Sequence, residues 1–241
     1  MCNTQRQQGV AAAAEAVAAA YGLNMAPSVL PDHCCWFGVS CCTPSTCYGV
    51  PPSACNCTYG MVTALYLSHN NLTSGNTAQS LEPSIQALSC SLTSLELHKN
   101  QLEGTIPTAV TALHLLSNLN LAFNNLTGTI PATLGNMASL QSLALTSNRI
   151  TGTLPSELCK LGPNSPLNNL YLSRNLLTGT LNISTCGNLY FIDGATNYFS
   201  GEPVGLEEYN HLQVANFSEN NFTGILFGIH LVQVDFSLNP K

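Results

Sequence analysis

Leucine and polar residues alternate in a phrase that recurs along most of the chain. From about residue 62 to the end, apolar residues follow the order Leu-x-x-Leu-x-Leu-x-x-Asn. The Asn that closes the phrase recurs, at intervals of 19 to 30 residues, at Asn70, Asn100, Asn124, Asn148, Asn175, Asn197, Asn220 and Asn239. A period in this range is typical of solenoid proteins, in which each repeat forms one coil and stacks on its neighbours.

Each central Leu-x-Leu predicts a short β-strand. In Leu119-Asn120-Leu121, the two leucines point to one side of the strand and the residue between them points to the other. Stacked coils would then align one strand each in a parallel sheet. Most intervals lie within the roughly 20 to 29 residues of a leucine-rich repeat. We therefore predict an α/β repeat solenoid, a leucine-rich repeat right-handed superhelix with a parallel β-sheet on its concave face.

The closing Asn and a second phrase explain how each coil turns. An Asn amide can bond the backbone groups that a tight turn leaves unpaired, so we expect the stacked Asn residues to form an internal ladder. A few residues later comes Gly-Thr-Ile-Pro or Gly-Thr-Leu-Pro, at 104–107, 128–131 and 152–155. Gly permits a bend at this point and Pro stops a helix.

The composition excludes several classes of function. Of the 241 residues, 45% are hydrophobic and only 7% are charged, which excludes disorder driven by charge. The net charge of −6 leaves too few Lys and Arg residues for nucleic acid or an anionic membrane as a main partner. No apolar run approaches the roughly 18 residues of a transmembrane helix. The start, Met1 to Arg6, lacks the plan of a signal peptide, so we expect a mature chain without its leader.

Cysteine spacing divides the chain into two regions. Eight of the eleven cysteines fall in the first 57 residues: Cys2, Cys34, Cys35, Cys41, Cys42, Cys47, Cys55 and Cys57. This density is typical of disulfide frameworks in oxidising compartments, so it predicts secretion. Six Asn-x-Ser/Thr sequons agree with secretion, at Asn56, Asn71, Asn125, Asn182, Asn216 and Asn221. We predict a Cys-rich cap over residues 1–60 with one Ala-rich helix, from about Gly9 to Tyr21, and a solenoid of about eight rungs over 61–241.

Zinc is the alternative role for the cysteines of the cap. The run Asp32-His33-Cys34-Cys35 and the later cysteines offer ligands, but no two Cys-x-x-Cys knuckles stand at zinc-finger spacing. We therefore expect disulfides rather than a metal site, and no cofactor.

One disulfide is predicted inside the solenoid. Cys159 and Cys186 each lie eleven residues after the Asn of their own repeat, Asn148 and Asn175. They would occupy equivalent sites on neighbouring coils about 5 Å apart, within the Cα separation that a disulfide spans. The alternative is two reduced cysteines that fill the core as small hydrophobic residues.

Two longer motifs carry a resemblance to a known family. The repeat Leu-x-x-Leu-x-Leu-x-x-Asn-x-Leu-x-Gly-x-Ile-Pro is matched closely over 116–131 and 140–155. The stretch from Cys34 to Cys41 has a Cys pair, a Trp and a Gly-Val before a further Cys. Both features resemble the plant-type extracellular leucine-rich repeat family, which includes polygalacturonase-inhibiting proteins and receptor-kinase ectodomains. The short run of repeats with Cys-rich flanks is also similar to cyst-wall proteins of encysting protists such as Giardia.

The resemblance to the plant-type family implies a disulfide pairing for the cap. It implies that Cys2 pairs with Cys34, and that Cys35 pairs with Cys41 or Cys42. Eleven cysteines is an odd number, so at least one thiol is expected to be free or to bridge to another chain.

The outward face of the predicted sheet holds the candidate ligand-binding residues. Most residues there are small or carry amides, but a few larger or charged side chains adjoin on neighbouring coils. The candidate residues are Tyr171, Phe191, Asp193, Arg174, Asn169 and Asn216. An aromatic plane beside a carboxylate and amides suits the stacking and hydrogen bonding of a sugar ring. The alternative is that Tyr171 and Phe191 form a cross-strand aromatic pair that needs no ligand.

The sequence gives little support for catalysis. Asp193 and Asp235 lie two rungs apart, roughly 9 to 10 Å, which reaches the upper limit for an inverting glycosidase. A shallow sheet face, however, offers neither a pocket nor the desolvation that a general acid requires. We therefore predict a protein that is not an enzyme.

Two classes of function remain. The low charge and heavy cysteine content favour a secreted structural, glycan-binding or protein-binding component of an extracellular wall or matrix. The plant-like repeat favours the alternative, a recognition module such as an inhibitor of a secreted wall-degrading enzyme or a receptor ectodomain. The expected partners are an extracellular polysaccharide or protein ligand, with no nucleic acid and no membrane insertion.

The last repeat predicts an incomplete end. The phrase over 231–241 supplies a strand and Asn239 but no second phrase, so apolar core and strand amides would be exposed. We expect either a natural chain that continues past Lys241 or self-association at this end. The alternative is a compressed repeat whose own side chains cover the core.

Overall fold

The computed structural model describes residues 39–41, 62–72, 88–89, 91–160, 165–206, 212–223 and 233–240. Fifteen strands account for most of its regular structure. In chain order they are β1 (Val39–Cys41), β2 (Val62–Tyr66), β3 (Ser94–Glu96), β4 (Glu103–Thr105), β5 (Asn118–Asn120), β6 (Asn125–Thr127), β7 (Ser142–Ala144), β8 (Thr151–Gly152), β9 (Asn169–Tyr171), β10 (Leu176–Gly179), β11 (Phe191–Asp193), β12 (Tyr198–Gly201), β13 (Val214–Asn216), β14 (Asn221–Phe222) and β15 (Gln233–Asp235).

A nine-stranded sheet takes one strand from each coil. Its order is β1-β2-β3-β5-β7-β9-β11-β13-β15, and every neighbouring pair from β2 onward is parallel. The predicted leucine-rich repeat solenoid with a parallel β-sheet is confirmed. β1 differs because it pairs with β2 in the antiparallel direction, with Val39 opposite Leu65. The repeat could not predict this pairing, since β1 lies outside the repeated phrase.

In the coils from Asn100 to Asn220 a short strand follows the closing Asn, and in three of these coils a 3₁₀-helix comes later. β4 pairs with β6 in parallel, and β8, β10, β12 and β14 form a four-stranded parallel sheet. Three coils continue into 3₁₀-helices at Thr108–Ala112, Ala132–Asn136 and Ser156–Cys159, each directly after a proline with extended backbone. Four or five residues allow little more than one turn. These three 3₁₀-helices form the side of the coil that returns to the next strand of the nine-stranded sheet.

Apolar side chains from every coil form one continuous core. The central residue of β5, Leu119, is fully buried while the residues on either side of it are half-buried. Toward the C-terminal coils, phenylalanines replace leucines, and the rings of Phe199, Phe217, Phe222 and Phe236 contact one another with centroids 5.2 to 6.0 Å apart. The last coil is less covered, because the central residue of β15, Val234, is 36% exposed.

A column of asparagines links successive coils, as the sequence predicts. We call it the Asn ladder, and it comprises Asn100, Asn124, Asn148, Asn175, Asn197, Asn220 and Asn239. Asn148 illustrates its pattern: Nδ2 donates to the carbonyls of Leu121 (3.0 Å) and Leu145 (2.9 Å), and Oδ1 accepts the N–H of Leu126 (3.0 Å). One side chain thus bonds its own coil and the preceding coil, in a site where Asn148 is 9% exposed.

The same arrangement recurs in every later coil of the ladder. Asn175 bonds the carbonyls of Leu145 and Leu172 and the N–H of Ile150. Asn239, in the last coil, bonds the carbonyls of Phe217 and Phe236. Because these backbone groups are buried and would otherwise lack partners, the ladder fixes the stacking of the coils.

Two features require glycine at the start of the second phrase: a positive φ and a close contact with the preceding coil. Gly152 has φ +80°, a conformation that side chains disfavour. A Cβ built on it would also lie 2.8 Å from the Cγ2 methyl of Thr129 on the preceding coil. The methyl group of one coil therefore occupies the space above the glycine of the next.

The cap lies almost entirely outside the described residues. The predicted cap over 1–60, its Ala-rich helix and the pairing of Cys2, Cys34 and Cys35 are among the features that fall there. Cys41 ends β1, but its side chain is not described. In the solenoid, Cys159 and Cys186 are joined by a disulfide with a Cα–Cα distance of 4.8 Å, so equivalent positions on neighbouring coils are covalently linked.

Candidate ligand-binding face

The outward surface of the nine-stranded sheet is the candidate site, and we call it the sheet face. It consists of three rows of side chains from β2 to β15 and the turns that follow these strands. The first row is Ala64, Ser94, Asn118, Ser142, Asn169, Phe191, Val214 and Gln233. The second row is Tyr66, Glu96, Asn120, Ala144, Tyr171, Asp193, Asn216 and Asp235. The third row is Ser68, His98, Ala122, Thr146, Ser173, Ala195, Ser218 and Ser237.

The structure brings the aromatic candidates together. Tyr171 on β9 stands opposite Asp193 on β11, and Phe191 stands opposite Asn169. The rings of Tyr171 and Phe191 pack diagonally with centroids 4.8 Å apart and a tilt of 35°. They therefore form the cross-strand pair that the sequence analysis weighs as the alternative, yet both side chains remain half-buried and keep surface toward solvent.

Asp193, Asn216 and Asp235 share one local geometry. Each accepts a hydrogen bond from the backbone N–H two residues later: Asp193 from Ala195 (3.3 Å), Asn216 from Ser218 (3.2 Å) and Asp235 from Ser237 (2.8 Å). This bond orients the side chain on a face where it would otherwise move. The backbone N–H and the hydroxyl of Ser237 together hold the pKa of Asp235 below its ordinary value of 3.8.

The remaining two candidates are Asn169, which stands opposite Phe191 in register, and Arg174. Asn169 donates from Nδ2 to Oδ1 of Asn168 at 2.7 Å. Arg174 is exposed and has φ 57°, in the turn just before Asn175. Within the described ranges the one ion pair joins His98 to Glu96, so none joins Arg174 to Asp193. Arg174 therefore lies at the border of the sheet face rather than within its rows.

A polar network on the first coils was missed by the sequence analysis. Glu96 contacts His98 (Oε2 to Nδ1, 3.2 Å) and accepts a hydrogen bond from the amide of Asn118. Nδ2 of Asn120 lies 3.2 Å from the same His98 nitrogen. Tyr66, opposite Glu96 in register, is 49% exposed at its edge.

The alignment of the repeats in the sequence already places the residues of this network next to one another. Glu96, Asn118, Asn120 and His98 occupy neighbouring places once the strands are aligned. Their hydrogen bonds depend on side-chain rotamers, however, which a repeat pattern does not specify.

The described residues show neither a metal centre nor a membrane-spanning helix. No three His, Cys, Asp or Glu side chains within the described ranges group closely enough to hold a metal ion. In the same part of the chain, no helix has the length and apolar character needed to span a bilayer. The sheet face thus carries two groups of larger side chains: the polar network on β3 and β5, and the aromatic pair on β9 and β11.

The fold and this face define a solenoid of leucine-rich repeats. Residues 90–150 match the family model described as leucine rich repeat. No curated protein sequence matches the chain significantly.

Solved structures extend the comparison beyond the matched repeats. The plant peptide hormone receptor RGFR1, in complex with RGF2, is similar over 58% of this chain and 22% of its own, with 34% identity and a TM-score of 0.54. The ectodomain of the receptor kinase GASSHO1/SCHENGEN3 from Arabidopsis thaliana, in complex with CASPARIAN STRIP INTEGRITY FACTOR 2, covers 87% of this chain and 26% of its own, with 26% identity and a TM-score of 0.60.

A third receptor structure has a length close to that of this chain. The ectodomain of the receptor kinase SOBIR1 from Arabidopsis thaliana is similar over 78% of this chain and 92% of its own, with 29% identity and a TM-score of 0.59. By contrast, this chain spans only 22% and 26% of the two larger receptor chains. The shared fold therefore does not assign the activities and partners of these receptors to this chain.

Proposed function

We propose that the protein is a secreted, extracellular and non-catalytic recognition module that holds a peptide or protein ligand on the sheet face. The observation that carries this proposal is the half-buried pair of Tyr171 and Phe191 beside the carboxylate of Asp193. The similar plant receptor structures, two of them in complex with a named ligand, add support.

The chemistry of the sheet face suits binding better than reaction. Aromatic rings supply contact area at little entropic cost, and they are enriched among the residues that dominate interface energies. Around them, small residues such as Ser142 and Ala144 leave room for a ligand backbone to approach the sheet. The carboxylates of Asp193 and Asp235 lie on separate strands with β13 between them, and Asp235 is exposed to solvent.

The proposal can be tested with a random peptide library displayed on phage and selected on the folded protein. Phe191→Ala should weaken the selected peptides by about 1 to 3 kcal/mol, because an aromatic anchor would be lost. Tyr198→Ala is the matched control, since Tyr198 is an aromatic residue on β12, in the other sheet, and is 60% exposed. Peptides that bind Phe191→Ala as tightly as the unmodified protein, or that depend on Tyr198, would place the site elsewhere.

A second candidate function is a structural component of an extracellular wall or matrix that binds polysaccharide. The low charge of the chain, 7% of residues, and the exposed ring surface beside amides favour it. Sedimentation with insoluble cellulose or chitin tests this candidate directly. Binding that Phe191→Ala abolishes would support a glycan on the sheet face, while absence of the protein from both pellets would remove the candidate.

A further inference from the structure

Among the residues that the structure describes, charge is unevenly distributed between the sheet face and the rest of the surface. The three rows contain three carboxylates, Glu96, Asp193 and Asp235, and not one of their side chains is a Lys or Arg. Arg174 and Lys99 lie in the turns that border the face, where both have positive φ. The described rows therefore present negative charge to any ligand that lies across them.

The three carboxylates are held in place on the face. Glu96 is 14% exposed and is fixed by His98 and by the amide of Asn118. Asp193 and Asp235 are each oriented by a backbone N–H, from Ala195 and Ser237. Apart from His98, which carries charge only when it is protonated, these partners are neutral donors that orient a carboxylate without cancelling its charge.

The strand order sets the distances between the carboxylates. Glu96 on β3 and Asp193 on β11 are four strands apart, and Asp235 on β15 lies two strands beyond. At a strand spacing of about 4.8 Å these separations are about 19 Å and 10 Å. An extended peptide advances about 3.3 Å per residue, so they correspond to about six and three residues.

Neutral side chains lie between Glu96 and the aromatic pair, and on β5 they are the amides of Asn118 and Asn120. On β7 the outward residues are Ser142 and Ala144, which are short side chains. The aromatic pair of Tyr171 and Phe191 follows on the next strands and stands directly beside Asp193. A ligand that crosses the strands would therefore meet a carboxylate, then amide-bearing and short side chains, then an aromatic surface and two further carboxylates.

We propose that the ligand of the sheet face is an extended basic peptide segment that runs across the strands, with Lys or Arg side chains at Glu96, Asp193 and Asp235. An apolar or aromatic side chain of the same segment packs on Tyr171 and Phe191. This inference rests on the proposed function, and it adds the charge, the spacing and the direction of the ligand. Complementary charge on a rigid face gives specificity and fast association.

The test uses a synthetic, fluorescently labelled peptide with lysines spaced by about six and three residues and one phenylalanine between them, the spacing that the extended repeat of about 3.3 Å per residue requires. Two companion peptides replace every lysine by glutamate or by norleucine. Fluorescence anisotropy should show the lysine peptide binding most tightly, with affinity that falls as salt is added. Equal affinity for the lysine and norleucine peptides would overturn the inference.

Variants of the full chain locate the charges. Glu96→Gln, Asp193→Asn and Asp235→Asn should each weaken the lysine peptide by about two- to fivefold, the range for a partly exposed charge pair, and the triple variant should weaken it further. Glu157→Gln and Glu202→Gln are matched controls, because each removes one exposed negative charge away from the rows. Losses of the same size in the controls would mean that net charge alone attracts the peptide, which contradicts the inference.

Failure of this inference can be distinguished from failure of the proposed function. If the norleucine peptide binds as well as the lysine peptide and Phe191→Ala weakens both, the sheet face binds peptides but the charge inference is wrong. If Phe191→Ala and the triple variant bind all three peptides as tightly as the unmodified protein does, both proposals are wrong.

Discussion

The Asn ladder and the sheet face are built from the same repeated phrase, yet the ladder is the same in successive coils while the sheet face changes from coil to coil. In the ladder the same residue makes the same three kinds of hydrogen bond in each coil, from Asn124 to Asn239. On the sheet face, the second row changes from Glu96 through Ala144 to Tyr171 and Asp193 over neighbouring strands.

The difference shows how one repeat separates folding from recognition. A ladder position faces buried backbone groups that are identical in each coil, so only one side chain satisfies them. A sheet-face position faces solvent, and substitutions there change little of the folding free energy. Residues that break the repeat on the sheet face are therefore the ones to examine for binding.

The largest effect is expected in the ladder. Asn148→Ala leaves the carbonyls of Leu121 and Leu145 and the N–H of Leu126 without their partner. Because each buried unsatisfied group costs about 1 to 3 kcal/mol, we expect a loss of about 3 to 5 kcal/mol in unfolding free energy. Urea denaturation measures it. Asn125→Ala is the control, since Asn125 is only partly buried and bonds Glu103, and it should cost less than about 1 kcal/mol.

The second effect concerns the covalent link between two coils. Replacing both Cys159 and Cys186 by Ala removes a disulfide that closes 27 residues of sequence. The loss should be about 2 to 4 kcal/mol, chiefly because the unfolded chain becomes less constrained. Thermal unfolding under oxidising conditions measures it, and a reducing agent should destabilise the unmodified protein more than the double variant, in which only the predicted disulfides of the cap can still be reduced. Equal melting temperatures of the two proteins in oxidising buffer would argue against a structural role for the bond.

The third effect separates backbone strain from steric contact between coils. Gly152→Ala places a Cβ at φ +80° and 2.8 Å from the Thr129 methyl, so we expect a loss of about 1 to 3 kcal/mol. Adding Thr129→Ser removes that methyl and should recover part of the loss. Gly201→Ala should cost less, because the nearest atom to its Cβ, on Thr180, is 3.3 Å away. No recovery in the double variant would show that the backbone angle alone matters.

The smallest effect is a pH dependence on the sheet face. The hydrogen bonds from Ser237 lower the folded pKa of Asp235 below 3.8, so its ionised form contributes stability above that pH. This contribution should be lost as the pH falls through the lowered folded pKa, and Asp235→Asn should remove that part of the acid dependence. Stability measured between neutral and acidic pH should therefore differ in slope only at the acidic end. A larger acid dependence in the variant would reverse the assigned sign.

The regular parts of the structure were predictable because they follow from local chemistry repeated many times. Leu119 of β5 and the amide of Asn148 have surroundings that recur in each coil, so one coil explains the others. The adjacency of Tyr171 and Phe191 followed from the period alone, since aligning the strands places them on neighbouring coils.

What escaped prediction depends on contacts that occur once. The antiparallel pairing of β1 with β2 joins a segment before the repeats to the first coil, and no period reports it. The network of Glu96 with His98 and Asn118 depends on rotamers. The 3₁₀-helices after Pro107, Pro131 and Pro155 are only four or five residues long, a detail that a fold class does not specify.

The separation of folding from recognition is tested most directly by urea denaturation of two variants in parallel. One is Asn148→Ala, and the other carries Glu96→Gln, Asp193→Asn and Asp235→Asn, which keep the size of each side chain. We predict that the triple variant stays within about 1 kcal/mol of the unmodified protein, because each replacement puts a polar side chain of the same size at a position that still reaches solvent, while Asn148→Ala loses several times more. A triple variant as destabilised as Asn148→Ala would contradict the account, because the sheet face would then be part of what holds the coils together.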